Sequence, residues 1–432
     1  MRRAAPWLAA ALGLALTLWA FWPGYLSWDS AYQWWQARHG ELDPTHPPVM
    51  VRLWQLSRLI LPDPGGMLAL QATLWWVALA AFSAALEGGA LRRALRVLAL
   101  GFWPPLFALL PHLWKDAWMI GLFTLAVACL AQDLRAPGWR WRMAALLALA
   151  LACAFRFNAL PGALPLLAWI GWRAFPGRRR AAALATAGGT ALVWLVGTAL
   201  NHVPGQRPVP VWPVLAMWDI AAVSIAQDRV LFPPDWVSED LTVADLRRDF
   251  QPYVNVPSFE SGQLRLNLYY DYAPEQFSEL RSVWLGLPLA HPRDYFAHRF
   301  EVSAYLLGLR QGAQPDGLVL QPGVVAFRDN PPLAANAGPL RAVLQPRLSQ
   351  WVDTPLFAPW PYLLFCSALL LSALVPSRRR GQPALAAVVS ASGLALAMPL
   401  VLLAPSSDFR YLGWCVMAAL LAALLAWPRR GR

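Results

Sequence analysis

The chain has almost no lysine. Of the 36 basic residues among its 432, Lys115 alone is a lysine and the others are arginines. Positive charge is otherwise written as guanidinium, so the exception marks a place that calls for a compact, flexible ammonium. Charge of either sign is scarce as well: 14% of residues are charged against 58% hydrophobic, which excludes an ordinary soluble domain and matches a polytopic membrane protein. Cysteine is rare, and Cys129, Cys153, Cys366 and Cys415 all fall inside apolar runs without paired spacing. That pattern implies no disulfide framework and favours core packing over metal binding. There is no glycine-rich phosphate loop, which argues against a nucleotide-driven pump. Neither an internal repeat nor a pair of mid-span ionisable residues is present, which argues against a transporter or flippase.

What is present is a series of apolar runs, and they place about ten transmembrane helices near 7–23, 67–86, 97–112, 116–131, 143–156, 159–173, 181–200, 356–376, 383–403 and 410–427. The net charge of +12 does not point to nucleic acid, because the arginines sit in short clusters between apolar runs. Arg2 and Arg3; Arg92, Arg93 and Arg96; Arg135, Arg140 and Arg142; Arg173 and Arg178 to Arg180; Arg378 to Arg380; and Arg429, Arg430 and Arg432 occupy alternate connections. With both termini cytoplasmic, every inner connection is then Arg-rich, as the positive-inside rule requires. No small-x-small site follows Phe21-Trp22-Pro23-Gly24, so the first run reads as a retained span rather than a cleaved signal.

The opposite face collects the unusual residues. It holds all six histidines and the long stretch 201–355, where 16 acids outnumber 12 arginines. The expected organisation is an N-terminal transmembrane module over 1–200 with a first outer loop at 24–66, a mainly helical extracytoplasmic domain over 201–355, and a C-terminal module over 356–432. Within the outer stretch, 240–253 and 291–309 read as helices joined by proline-rich connectors such as Pro208 to Pro213. His291 and His298 are seven apart with no third ligand in view, which favours surface or capping roles over a zinc site.

The first outer loop is the richest in chemistry. Asp29, in Trp28-Asp29-Ser30 just past the first span, is a candidate general base, and it is equally a candidate cap for the helix that follows. His46, in His46-Pro47-Pro48, is a candidate phosphate or sugar contact, or a partner of the next helix's first turn. In that helix Arg52, Gln55 and Arg58 sit three apart, a strip suited to the interface plane. Lys115 and Asp116 stand at the outer start of the fourth span, where an acid also suits the helix dipole. Arg156 and Asn158 interrupt two apolar runs, and an arginine there faces a polar cavity, or snorkels to the headgroups. Before the last span, Asp408 and Arg410 form a candidate pair in Ser406-Ser407-Asp408-Phe409-Arg410-Tyr411, with Arg410 on the side that positive-inside statistics disfavour.

This layout resembles the GT-C superfamily of integral-membrane glycosyltransferases over nearly the whole chain. Trp28-Asp29-Ser30 and His46-Pro47-Pro48 resemble the acidic motif and the basic-Pro-Pro element of the aminoarabinose and protein-mannosyl transferase branches. Asp408-Phe409-Arg410-Tyr411 is similar to the Arg-Tyr segment near the end of many members. The resemblance implies a polyprenyl-phosphate sugar as donor and a lipid, glycan or protein as acceptor. It makes Asp29 the base, with His46, Lys115, Asp116, Arg156, Asn158, Asp408, Arg410 and Tyr411 as substrate contacts. It places the enzyme in the bacterial cytoplasmic membrane, acting at the outer face on the cell envelope and surrounded by membrane lipids. Members often carry paired acids in the first loop, whereas here Ser30 follows Asp29 and Glu41 and Asp43 are displaced. A divalent metal then requires the fold to bring Asp29, Asp43 and Asp116 together. An O-antigen ligase or polymerase, which acts on a diphosphate-linked glycan, is the rival enzyme class, and a lipid-glycan transporter the non-enzymatic one.

Overall fold

A computed structural model of the chain describes residues 3–206, 210–265, 272–310, 314–333, 338–375 and 380–426. Arg2, Pro208, Arg378, Arg379, Arg429, Arg430 and Arg432 lie outside the described residues. Among the described residues the fold is all helix, with only isolated bridges and no strand.

The N-terminal half runs α1 (Ala5–Phe21), α2 (Trp28–His39), α3 (Pro48–Ser57), α4 (Gly65–Ala85), α5 (Ala90–Gly101), α6 (Pro104–Leu109), α7 (Lys115–Arg135), α8 (Trp139–Phe155), α9 (Leu160–Ala174) and α10 (Arg179–Asn201). There follow α11 (Trp212–Ala226), α12 (Val243–Asp249), α13 (Pro257–Glu260), α14 (Pro274–Ala290), α15 (Pro292–Leu306), α16 (Asp316–Val319) and α17 (Pro339–Trp351). The chain closes with α18 (Trp360–Ser372), α19 (Gly381–Leu403) and α20 (Gly413–Ala426).

Among the described residues five segments are long and apolar enough to cross a membrane: α4, α7, α10, α19, and α20 with the 3-10 turn before it. Helix α10 makes the physical case most plainly. It has 23 residues and buries only Val193, while Leu184, Leu192, Trp194 and Leu195 are exposed. An outward apolar surface of this kind needs an apolar surrounding. The expected span at 97–112 is not one helix. Pro104 and Pro105 follow Trp103, and the restriction a proline places on the preceding residue ends α5 at Gly101 and starts α6 afresh. Neither piece, at 12 and six residues, is long enough to cross on its own.

Helices α4, α7 and α8 pack side by side, with α1 and α5 against α4, and α9 joins α8 and α10 to the α18, α19 and α20 group. Close approach is bought from glycine at one crossing: a Cβ on Gly13 or Gly101 would lie 2.4 or 2.1 Å from the Trp76 ring, which sits between α1 and α5. A second apolar cluster belongs to the middle of the chain, where α11, α14 and α15 surround Met217, Ile220, Trp236 and Leu280.

The first loop is fastened from beneath. Asp63 accepts from Trp34 Nε1 at 2.8 Å and Trp54 Nε1 at 2.9 Å and pairs with Arg58 at 2.8 Å. Arg52 donates to the Leu200 and His202 carbonyls at the end of α10. Arg52 and Arg58 of the expected polar strip are thus held by protein partners. Just before α2, Tyr25 exchanges backbone hydrogen bonds with Pro111 and Leu113, and Leu26 with Gly323 and Val325. Those bonds fix where α2 begins.

Candidate functional site

Asp29 is the second residue of α2, and it does not cap it. Its Oδ2 accepts from Arg410 Nη1 at 3.0 Å, while Lys115 Nζ lies 4.0 Å away and His46 Nε2 lies 3.9 Å from Oδ1. Helix α7 begins at Lys115 because Trp114 is still extended, and the positive end of its dipole disfavours an ammonium there. Carboxylates close by offset that cost.

Lys115 Nζ donates to His46 Nδ1 at 3.1 Å. An ammonium has only protons to give, so Nδ1 must be the bare nitrogen and Nε2 carries the hydrogen. His46 is therefore bonded to Lys115, and the N-cap residue of α3, Pro47, makes no side-chain hydrogen bond to the helix. Burial first, and then the neighbouring Lys115 charge, push its pKa down to about 4, so the ring is neutral at physiological pH.

Asp116 is buried, and its Oδ1 lies 3.1 Å from Arg156 Nε at the end of α8. Arg156 also stands 4.9 Å over the Tyr411 ring, so it turns inward to protein partners rather than snorkelling. Arg410 bridges Asp29 to Asp408, whose Oδ2 is 3.4 Å from Nη2, and its guanidinium lies 4.7 Å above the Trp114 ring. Ser406 Oγ donates to Asp408 Oδ2 at 2.8 Å and lies 3.3 Å from Tyr411 OH, whose proton it can accept.

Five separate stretches of chain thus bring Asp29, His46, Lys115, Asp116, Arg156, Asp408, Arg410 and Tyr411 together. Asn158 is exposed on the 3-10 turn Phe157–Ala159 and takes no part in these contacts. Burial opposes ionisation of Asp29, yet Arg410, His46 (protonated in the acid range where this carboxyl titrates) and Lys115 together outweigh it and hold the carboxyl well below the usual carboxylate range.

Sequence patterns gave no sign of Trp114 and Ser27. Trp114 Nε1 donates to Ser27 Oγ at 2.8 Å, joining the start of α2 to the start of α7 beneath Arg410. Lys115 next door was the available pointer to Trp114. Ser27 had none.

The three acids a metal would need do not meet. Asp43 is taken by Tyr32 OH, by Gln36 Nε2 at 2.6 Å and by Thr45 N at 2.8 Å, and Asp116 faces Arg156. Among the described residues no group of three His, Cys, Asp or Glu is placed to hold a metal ion.

A second buried carboxylate lies elsewhere. Asp219 on α11 accepts from Trp284 Nε1 at 2.7 Å and from Arg299 Nη2, and His298 Nε2 is 3.1 Å from its Oδ1. His298 is therefore an interior residue and not a surface or capping one, and His291 sits apart at the α14 to α15 junction. Arg299 Nη1 donates to the Ala404 carbonyl at 2.9 Å, Ser407 Oγ to Val302 at 2.9 Å and Asn255 Nδ2 to Pro405 at 2.8 Å. These bonds hold the loop that leads into Asp408 and Arg410. His112, expected only as part of the outer face, is wholly buried, accepts from Gln321 N at 3.0 Å and stacks on Trp114 at 4.2 Å.

No family model, curated protein or solved structure matches the chain.

Proposed function

We propose that the chain is an integral-membrane glycosyltransferase of the GT-C kind, moving a sugar from a polyprenyl phosphate to a lipid, glycan or protein acceptor. In this reading about ten spans place both termini in the cytoplasm, and residues 201–355 form a domain outside the bacterial inner membrane. The observation that carries it is the Asp29 cluster: a part-exposed carboxylate, 27% accessible at its side chain, ringed by Arg410, Lys115 and His46 beside the ends of apolar helices.

The chemistry needs a base at the acceptor and cations where the leaving phosphate gains charge. Asp29 takes the proton of the acceptor hydroxyl or amine as its oxygen or nitrogen attacks the anomeric carbon. The bond from that carbon to the phosphate oxygen breaks, and its electron pair stays with the phosphate. Lys115, Arg410 and Arg156 stabilise the charge that develops there. Asp116 keeps Arg156 in place, and Asp408 does the same for Arg410.

Lipids and glycans that co-purify with the protein, identified by mass spectrometry, would name the donor class. Incubation with a panel of polyprenyl-phosphate sugars should then release polyprenyl phosphate. Release from diphosphate-linked donors alone would move the reading to a ligase or polymerase, and no turnover of any lipid-linked sugar would remove it.

A further inference from the structure

The candidate phosphate grip is already neutralised by the protein itself. Lys115, Arg156 and Arg410 face Asp29, Asp116 and Asp408, three cations to three carboxylates, and His46 adds no charge. An anion arriving from outside finds no surplus positive charge unless one of the three acids gives way.

The acids are not equal. Asp116 and Asp408 have side chains 1% and 11% exposed, while Asp29 is 27% exposed and holds its partners at 3.0, 3.9 and 4.0 Å. His46 is 8% exposed, and its Nε2, which carries the hydrogen, has no hydrogen-bond partner among the described residues. A buried donor left open in this way is costly unless something accepts from it. It lies on the Asp29 side, where Lys115 still has ammonium protons to give.

We infer that a donor phosphate enters by taking the place of Asp29 on Arg410, Lys115 and His46 Nε2, and that the displaced carboxylate is the base. This rests on the transferase reading and narrows its substrate. One carboxylate leaving makes room for one negative charge, which is that of a sugar phosphodiester on a single lipid phosphate, whereas a diphosphate brings at least two. The exchange also sets the order of events. While paired, Asp29 is held too acidic to be an effective base, because a base works best near the working pH. Freed of its cations, it regains ordinary carboxylate basicity. When transfer is complete the phosphate has gained one charge and Asp29 one proton, so the charge of the site is conserved.

The test is binding of farnesyl phosphate as its methyl diester, a soluble stand-in that carries the single negative charge of the donor, to the full-length protein in detergent, with farnesyl diphosphate and inorganic phosphate alongside. Removing the competitor should help the ligand: Asp29→Asn is expected to bind the farnesyl diester about tenfold tighter than wild type. Asp29→Glu, which keeps the charge, should show no such gain. Two readouts on the wild type stand independently of whether Asp29→Asn folds. Lys115 is the chain's sole lysine, so its acylation by an amine reagent, mapped by peptide mass, should be suppressed by the farnesyl diester. Carbodiimide labelling of Asp29 should rise in the same sample. Equal or weaker binding by Asp29→Asn, or unchanged Asp29 labelling while Lys115 is protected, would overturn the exchange and leave the transferase reading standing. No binding and no Lys115 protection would remove both. Inorganic phosphate binding as tightly as the farnesyl diester would overturn the assignment to a lipid.

Discussion

Asp29 and Asp219 have similar company and opposite situations. Each carboxylate meets an arginine and a histidine, yet Asp219 is wholly buried and both of its oxygens are bonded, to Arg299 and to Trp284. Asp29 is part-exposed, its histidine and lysine stand off at 3.9 and 4.0 Å, and a buried His46 donor is left open beside it. The residue types are nearly the same. Slack in the contacts and access from outside separate a clamp from a site. The clamp serves the site as well, since Arg299 holds the loop that delivers Asp408 and Arg410.

Exchanging the two carboxylates for amides breaks the comparison most sharply. Asp29→Asn should lose about 10²- to 10⁴-fold in transfer rate, the usual worth of a general base. Its melting temperature should fall less than that of Asp219→Asn, because Asp29 is part-exposed, Arg410 keeps Asp408 and Lys115 keeps His46. Asp219→Asn should do the reverse at the level of folding: leaving Arg299 and His298 buried without their carboxylate costs about 3–5 kcal/mol, read in thermal unfolding. Equal melting losses in the two variants would erase the distinction.

Acid sharpens it next. His46 has its pKa lowered from 6.5 to about 4 by burial and then Lys115, and burial lowers that of His112 to about 3. The unfolded chain therefore takes up protons near pH 6.5 that the folded chain refuses. Stability from these rings is complete above about pH 6.5 and is lost as pH falls to about 4 for His46 and about 3 for His112. The loss is about 3 kcal/mol for His46 and about 5 kcal/mol for His112, at roughly 1.4 kcal/mol per pKa unit. Asp29 adds to the loss only near and below about pH 3.8, where the unfolded carboxylate takes a proton that the folded one, its pKa depressed, refuses. Unfolding midpoints measured from pH 7 to 4 should fall less steeply in His46→Gln than in wild type.

Lys115→Arg asks for less. The charge survives but the ammonium geometry against His46 does not, and a lost charge-assisted hydrogen bond predicts a fall in transfer of about tenfold with the fold intact. Trp114→Leu removes the ring under Arg410 and should cost about 0.5–2 kcal/mol, read as a small rise in donor KM.

How much of this was legible before the fold was known depended on the kind of signal. Apolar length located α4, α7, α10 and α19 within a few residues, because a run of that length has one physical use. It joined α5 and α6 into one span, since hydropathy averages over Pro104 and Pro105 while the backbone cannot. Compositional oddity singled out Lys115, and a position against the positive-inside rule singled out Arg410. Capping alternatives for Asp29 and Asp116 could not be settled along the chain, because their partners, Arg410 and Arg156, arrive from distant helices. His298 was misread for the same reason: seven-residue spacing from His291 says nothing of Asp219, which α11 brings to it. Asn158, adjacent to Arg156 in an interrupted run, had the right neighbours in sequence and the wrong direction in space.

The most direct test of the central claim is release of free polyprenyl phosphate from a radiolabelled polyprenyl-phosphate sugar, measured side by side for wild type and Asp29→Asn in the same bilayer. Turnover by wild type and a loss of at least about 10²-fold in the folded variant are expected. Turnover at the wild-type rate by Asp29→Asn would contradict the claim.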